Sequence, residues 1–321
     1  MQSDLRPIVV VGSINMDLVS NVPHIPRVGE TVLGNHFQMY AGGKGANQAV
    51  GVARLEYPVK MIGMVGRDAF GKQLRELLNK EGVDTTHIGE AAAATGIAMI
   101  EVDAAAENSI VVAQGANLHL TPDVLREKTN ILRAAGLVLA QLEIPIDTVE
   151  CLAKICAEMH VPLILDPAPA QALPDGLLSA VTWLTPNETE AQFYAKGTSS
   201  NEEMLAMLLR AGVQGVILKR GALGSVLAGY DGVPHYLSAH KVRAVDTTAA
   251  GDAFNAAFAV GLMQGYGPVE SARFATAAAA ISVTRAGAQP SLATRKEMLL
   301  ALERTNHDEN WSEMLEQHEM T

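Results

Sequence analysis

The sequence predicts an α/β fold built on a doubly wound, mostly parallel sheet with a second, small β-sheet. Three observations carry this expectation. Short β-branched runs alternate with segments of helical periodicity along most of the chain. Such alternation indicates a parallel sheet covered by helices on both faces. Two further stretches break the pattern with paired, shorter strand signals, which point to antiparallel strands set apart from the main sheet.

Buried strands are expected at 8–11, 60–63, 137–142, 162–165, 181–184 and 216–218, each a compact apolar run. Helices are expected at 70–81, 146–159, 202–210, 251–265 and 269–284, where apolar residues recur at three- and four-residue spacing. The interrupting strand pairs fall at 31–40 and 95–112, the second with its turn at 104–108. They read equally well as a flap over a site, an interface or an edge hairpin. In sheets of this kind ligands gather beyond the carboxyl ends of the strands.

At 321 residues the chain can bury one large core or two small ones. Residues 1–305 read as one domain and 306–321 as a polar tail, with Trp311 and Leu315 as possible anchors. A hydrophobic share of 48% with 18% charged residues fits a globular protein. The net charge of −11 argues against a nucleic-acid binder, so an anionic substrate needs local N–H groups and metal ions to hold it. Cys151 and Cys156 match no zinc or redox motif and read as reduced thiols on a helix. The first residues lack the basic and apolar regions of a signal peptide, and no apolar run is long enough for a bilayer. A soluble, cytoplasmic protein is the expectation.

The most informative stretch is Asp246-Thr247-Thr248-Ala249-Ala250-Gly251-Asp252-Ala253-Phe254. It sets a carboxylate beside small residues at a predicted helix start, where unpaired N–H groups and the dipole favour an anion. Gly251, Ala250 and Ala249 let that anion come close, and Asp252 supplies a base at the same spot. Base and anion cradle in one turn suggest phosphoryl transfer to an alcohol; the alternative is an ordinary N-cap at Asp252.

Other motifs keep it company. Asn15 and Asp17, flanking Met16 just after the first strand, project to one side if extended and can grip neighbouring sugar hydroxyls. An Asx-type turn is the alternative. Gly42-Gly43-Lys44-Gly45-Ala46-Asn47 opens a helix through Arg54 and allows close backbone approach, without Walker A or dinucleotide spacing. Glu143 follows a strand, where a ligand would sit. Asn187 and Glu190 share a helical face and could order a hydrated Mg²⁺, or simply cap that helix. Lys219-Arg220-Gly221-Ala222-Leu223-Gly224 is a turn at a strand end that could wall a nucleotide pocket. The nine histidines form no metal-binding motif.

Together these segments resemble the ribokinase-like (PfkB) carbohydrate kinases, over 9–291. The carriers are GSINMD at 12–17, GGKGANQAV at 42–50, TPNETEA at 185–191, VDTTAAGDAFNAA at 245–257 and AAAAISVTRAGAQPS at 277–291. The resemblance implies a ribokinase-like α/β fold with a small β-sheet lid, formed near 16–41 and 94–114, which commonly also makes a homodimer interface. It implies ATP-dependent phosphorylation of the 5-hydroxyl of D-ribose, with Mg²⁺ required and K⁺ activating. By the same resemblance Asn15, Met16, Asp17, Gly43, Lys44, Gly45, Ala46, Asn47 and Glu143 meet the sugar. Asp252 is the catalytic base, with the Ala249, Ala250 and Gly251 amides around the transferring group. Asn187, Lys219, Arg220, Gly221, Ala222, Leu223, Gly224, Gly251 and Thr276 fall to the nucleotide, and Glu190 to Mg²⁺ through water. Asp246, Thr248, Ser282, Arg285, Gly287 and Ser291 fall to K⁺. Lys219-Arg220 and Thr276 depart from the family's usual residues on the nucleotide side. Rival readings are a family kinase acting on deoxyribose, a ketohexose or a nucleoside, and a sugar-binding regulator without catalysis; the low aromatic content, 4%, disfavours a nucleoside site.

Overall fold

The computed structural model describes residues 5–305 except Ala106 and Ser199, so the expected tail and its anchors Trp311 and Leu315 lie outside the described residues. Strands run as β1 (Ile8–Val11), β2 (Asn15–Asn21), β3 (His36–Gly42), β4 (Val59–Gly66), β5 (Asp84–Ala91), β6 (Gly96–Val102) and β7 (Asn108–Ala113). They continue as β8 (Leu137–Gln141), β9 (Leu163–Asp166), β10 (Trp183–Leu184), β11 (Gly215–Lys219), β12 (Ser225–Ala228) and β13 (His235–Leu237). The helices are α1 (Lys44–Arg54), α2 (Ala69–Lys80), α3 (Pro122–Arg126), α4 (Thr129–Ala134) and α5 (Ile146–Met159). After these come α6 (Glu188–Tyr194), α7 (Asn201–Arg210), α8 (Ala250–Met263), α9 (Pro268–Ser282) and α10 (Arg295–Thr305).

Nine strands form the main sheet in the order β13-β12-β11-β10-β9-β8-β1-β4-β5. All neighbours from β11 to β5 are parallel, and only the β11–β12 and β12–β13 pairs are antiparallel. The alternation of β1 explains the two-faced core. Ile8 and Val10 join a cluster with α1, α8 and α9, while Val9 and Val11 join the cluster beneath α5 and α7. Since successive side chains point to opposite faces, a fully apolar strand can satisfy both. β1 lies between β4 and β8, so the strand order reverses there. The crevice at such a reversal is where ligands bind in open α/β sheets.

The four remaining strands form a separate sheet in the order β3-β2-β6-β7. The strand pair expected at 95–112 is present as β6 and β7. The pair expected at 31–40 is not: β3 is its only strand, and β2 is the antiparallel partner, with Asp17 opposite Tyr40. Residues before β3 turn instead, with Asn35 N–H donating to Asn21 O at 2.9 Å, and Gly34 avoids a side chain that would crowd the same carbonyl. The strand expected at 181–184 is shortened to β10, and β5 and β13 have no counterpart in the sequence reading.

Candidate active site

Parallel strands carry their next residues to one edge of the sheet, and the polar residues of this chain gather there. β1 leads to Ser13 and Asn15, β8 ends at Gln141 before Glu143, β9 ends at Asp166, and β11 ends at Lys219. Glu143 accepts from the Ser13 hydroxyl and from Lys44 N–H at 3.2 Å, which joins the β8 end to the glycine loop. Asn15 keeps its Oδ1 on Asn117 Nδ2 at 2.7 Å.

The glycines of that loop are required by contact. Gly43 adopts φ 87°, and a Cβ there would stand 2.7 Å from Asn15 N and 2.9 Å from Ser13 O. A Cβ on Gly42 would lie 2.1 Å from Asp17 Oδ2, so the loop closes directly on that carboxylate. Met16 and Ala46 are packed in the core, and the Ala46 N–H donates to Ser13 O at 2.9 Å, so neither offers a side chain to a ligand. Asp17 is held up at about 7 by burial first, then by the charges of Glu143 and Asp252. Burial works against the Lys44 charge, yet Asp252, Asp166, Glu143 and Glu190 outweigh it and hold that pKa above the ordinary lysine value.

α8 begins with Ala249 in the left-handed region, φ 60°, and no side chain caps it. Asp252 is therefore not the N-cap that its residue type allowed; it sits inside the first turn. Ala250 N–H turns back to Thr247 O at 3.3 Å, so the Gly251 and Asp252 amides are the first-turn donors left for a ligand. The Asp252 carboxylate is buried and pinned on both oxygens: Asn47 Nδ2 donates to Oδ2 at 2.9 Å and Gln48 Nε2 to Oδ1 at 3.0 Å. Burial is the main reason its pKa rises to about 6; Lys44 and the two amide donors pull it down, and Asp166 pushes it up. Asn47, expected on the sugar, thus holds the base, but its Oδ1 is buried and unbonded among the described residues. That oxygen could accept from a bound hydroxyl.

On the other side of α8, Lys219 Nζ pairs with Asp166 Oδ1 at 3.0 Å and lies 3.3 Å from where a Gly251 Cβ would be. It therefore faces the same first turn as the free amides. Arg220 leans on Glu188 at 3.6 Å, and Gly221, Ala222 and Leu223 form an exposed helical turn before Gly224. Asn187 and Glu190 form a reciprocal capping box on α6, the alternative their spacing had left open. Burial and the Asp166 charge raise the Glu190 pKa, with Lys219 acting in the opposite direction. Thr276 is buried within α9 and donates its hydroxyl to Ala272 O at 2.8 Å.

The residues expected around K⁺ draw two loops together. Asp246 accepts from Thr248 N–H and from Gly287 N–H, each at 2.8 Å, and these bonds overcome burial to lower its pKa. Ser282 and Ser291 hydroxyls meet at 3.2 Å, while the Arg285 side chain turns to Glu297. Arg54, at the far end of α1, donates to the carbonyls of Gln289 and Leu292 at 2.8 and 3.0 Å. The sequence reading missed Gln48, Asp166 and Asn117. Asp166 ends an apolar strand, the same signal that selected Glu143.

Comparison with known proteins agrees with this geometry. The pfkB family carbohydrate kinase model matches residues 6–295. A ribokinase from Haemophilus influenzae is 42% identical over 304 residues, covering 93% of this chain and 99% of that protein. A Bacillus subtilis ribokinase is 40% identical, with 92% and 98% covered. Among solved structures, ribokinase from Thermotoga maritima superposes with a TM-score of 0.87 at 39% identity, covering 92% of this chain and 99% of its own. Arabidopsis thaliana ribokinase complexed with ribose and ATP also gives 0.87, at 37% identity, with 93% and 99% covered. By fold, by edge-of-sheet constellation and by these matches, the chain belongs to the pfkB family of carbohydrate kinases.

Proposed function

We propose that this kinase transfers the γ-phosphoryl group of ATP to the 5-hydroxyl of D-ribose, giving D-ribose 5-phosphate and ADP. One observation carries the reading: a buried carboxylate, fixed by two amides, shares the first turn of a helix that no side chain caps with the Gly251 and Asp252 backbone N–H groups. The ribose and ATP complex of the Arabidopsis protein, on the same fold, supports the substrate pair.

In this mechanism Asn15, Asp17, Lys44 and Glu143 hold the sugar hydroxyls, with the backbone of Met16, Gly43, Gly45 and Ala46 closing around them. The free Oδ1 of Asn47 accepts one further hydroxyl. Asp252 takes the proton of the C5 hydroxyl as that oxygen attacks the γ-phosphorus. The amides of Ala249 to Asp252 and the Lys219 ammonium face the transferring group, and this electrostatic term usually dominates phosphoryl transfer. The nucleotide lies along Asn187, the turn of Arg220 to Gly224, and α9 near Thr276.

Glu190 fits Mg²⁺ through water, since its carboxylate is buried beside Asp166 and Lys219 and its oxygens also serve the cap. When bound, Mg²⁺ would supply positive charge against the phosphates of the nucleotide. Asp246, whose carboxylate ties the Thr248 loop to the Gly287 loop, would hold K⁺ together with Thr248, Ser282, Arg285, Gly287 and Ser291. A cation held by these residues would stabilise the loop that leads into α8. The small sheet acts as a lid that excludes water from the reaction, and its outer face pairs two copies in a cytoplasmic homodimer.

ADP release measured against a sugar panel, with ATP and Mg²⁺ and either K⁺ or Na⁺, tests the reading. D-ribose should give the highest kcat/KM, and Na⁺ a lower rate than K⁺. Absence of ribose-dependent ADP release would overturn the substrate assignment, and equal rates in both salts the K⁺ site.

A further inference from the structure

Gln48, Gln141 and Asp166 are buried next to the base and have no part in the phosphoryl transfer set out above. Their bonds are mutually constraining. Gln48 Oε1 accepts from Gln141 Nε2 at 2.7 Å, so the Gln48 amide cannot flip without setting two like groups against each other. Its Nε2 is thereby turned toward two carboxylates, donating to Asp252 Oδ1 at 3.0 Å and to Asp166 Oδ2 at 3.2 Å. Asp166 in turn receives Lys219 Nζ at 3.0 Å, and that ammonium stands beside Gly251 at the anion-binding turn. A neutral, two-proton donor is what two buried carboxylates need between them, since it satisfies both without adding charge.

We infer that Gln48 is a positioning residue: its amide locks Asp252 toward the acceptor hydroxyl and joins it, through Asp166, to the Lys219 ammonium on the nucleotide side. This inference rests on the proposed kinase reaction. Binding of an anionic phosphate beside Lys219 draws that cation away from Asp166, and the change in field reaches the base through one amide. The charged groups facing Asp252 are Lys44 from α1, Asp166 from β9 and Asp17 from β2, with Lys219 on β11 behind Asp166.

Two variants read the chain from both sides. Gln48→Leu keeps the bulk and removes both donors; kcat should fall about 10–10²-fold, the scale of a misplaced catalytic group, with ribose and ATP KM unchanged. The acidic limb of its pH–rate profile should move up, because a hydrogen bond that favours the carboxylate is gone. Asp166→Asn should move that limb down, because a neighbouring negative charge is removed. A purely structural Gln48 would lower the melting temperature and leave the limb in place, and that result, or a KM rise at intact kcat, would overturn the inference. If Gln48→Leu does not fold, Gln48→Met, which also lacks both donors, decides by the same upward shift. Carbon-13 titration of the Asp252 carboxyl in the free variants reads the same opposed shifts without turnover. A wild-type protein with no ribose-dependent activity would therefore refute the substrate assignment while the titration still judges Gln48.

Discussion

Asp252 combines two properties that compete in water: it is basic enough to take a proton and is charged near neutrality. Burial raises its pKa to about 6, and the donors Asn47 and Gln48 with Lys44 limit the rise. In the proposed mechanism the deprotonated form is the base, so turnover should climb as pH rises through about 6 and then level off. Asp252→Asn keeps the shape and removes the base. Ribose binding by calorimetry should persist while kcat drops by roughly 10²–10⁴-fold; near-normal kcat would remove Asp252 from that role. Asp17 makes the complementary case. Its folded-state pKa, about 7, exceeds the ordinary aspartate value of 3.8 because of burial, then Glu143 and Asp252. Above the folded value the fold carries an ionised carboxylate that the unfolded chain would solvate better, so stability is lost as pH rises through about 7. Asp17→Asn should then raise the melting temperature at pH well above 7 and leave it nearly unchanged below 3.8, while ribose binding weakens sharply. An equal effect at both pH values would mean that charge is not the cause.

At the scale of elements, the site depends on how closely α1 meets the turn after β1. The N-cap of α1 is Gly43, at φ 87°, with no side-chain cap. Gly43→Ala would add both a positive-φ penalty and a clash with backbone, together about 1–3 kcal/mol of stability. The clash falls on Asn15 N and Ser13 O, so ribose KM should rise more than ATP KM; equal changes would place the strain elsewhere. These elements differ in how legible they were. α5 was readable to the residue, since Pro145 precedes it, its apolar stripe is regular, and His160 ends it in the left-handed region. β2 was only partly readable, because Asn15 and Asp17 allowed an extended reading or a turn, and the strand is decided by its pairing with β3 and with β6. β5, DTTHIGEA, lies at the sheet edge with polar residues facing out, so no apolar run marks it. In the site, the motif residues Asp252, Lys44 and Glu143 announced themselves by local company. Gln48 did not, because its partners Asp166 and Gln141 are brought to it only by the folded sheet.

For the molecule as a whole, a net charge of −11 means that long-range attraction does not bring ATP to the site. In the proposed mechanism capture would fall to Lys44, Lys219 and the α8 amides, and to closure of the small sheet over them. That sheet is two-faced. Asp17 points inward, whereas the neighbouring register row runs Met39, Leu18, Met99, Val111 across all four strands on the opposite face. Met39, Met99 and Val111 are 49%, 44% and 58% exposed, a contiguous apolar row of the kind that marks an interface. A second copy of the same face would cover it with a self-complementary contact, the commonest oligomer symmetry. The inner residues of β2 would then be braced from behind, so the proposed dimer and sugar binding are coupled through one strand. Met99→Glu puts a charge at the middle of the row without touching Asp17. Light scattering over a range of concentrations should show a dimer for the wild type and a monomer for the variant, and ribose KM should rise while the acidic limb set by Asp252 stays where it was. A variant that remains dimeric, or a wild type already monomeric at high concentration, would reject the outer face of the sheet as the contact.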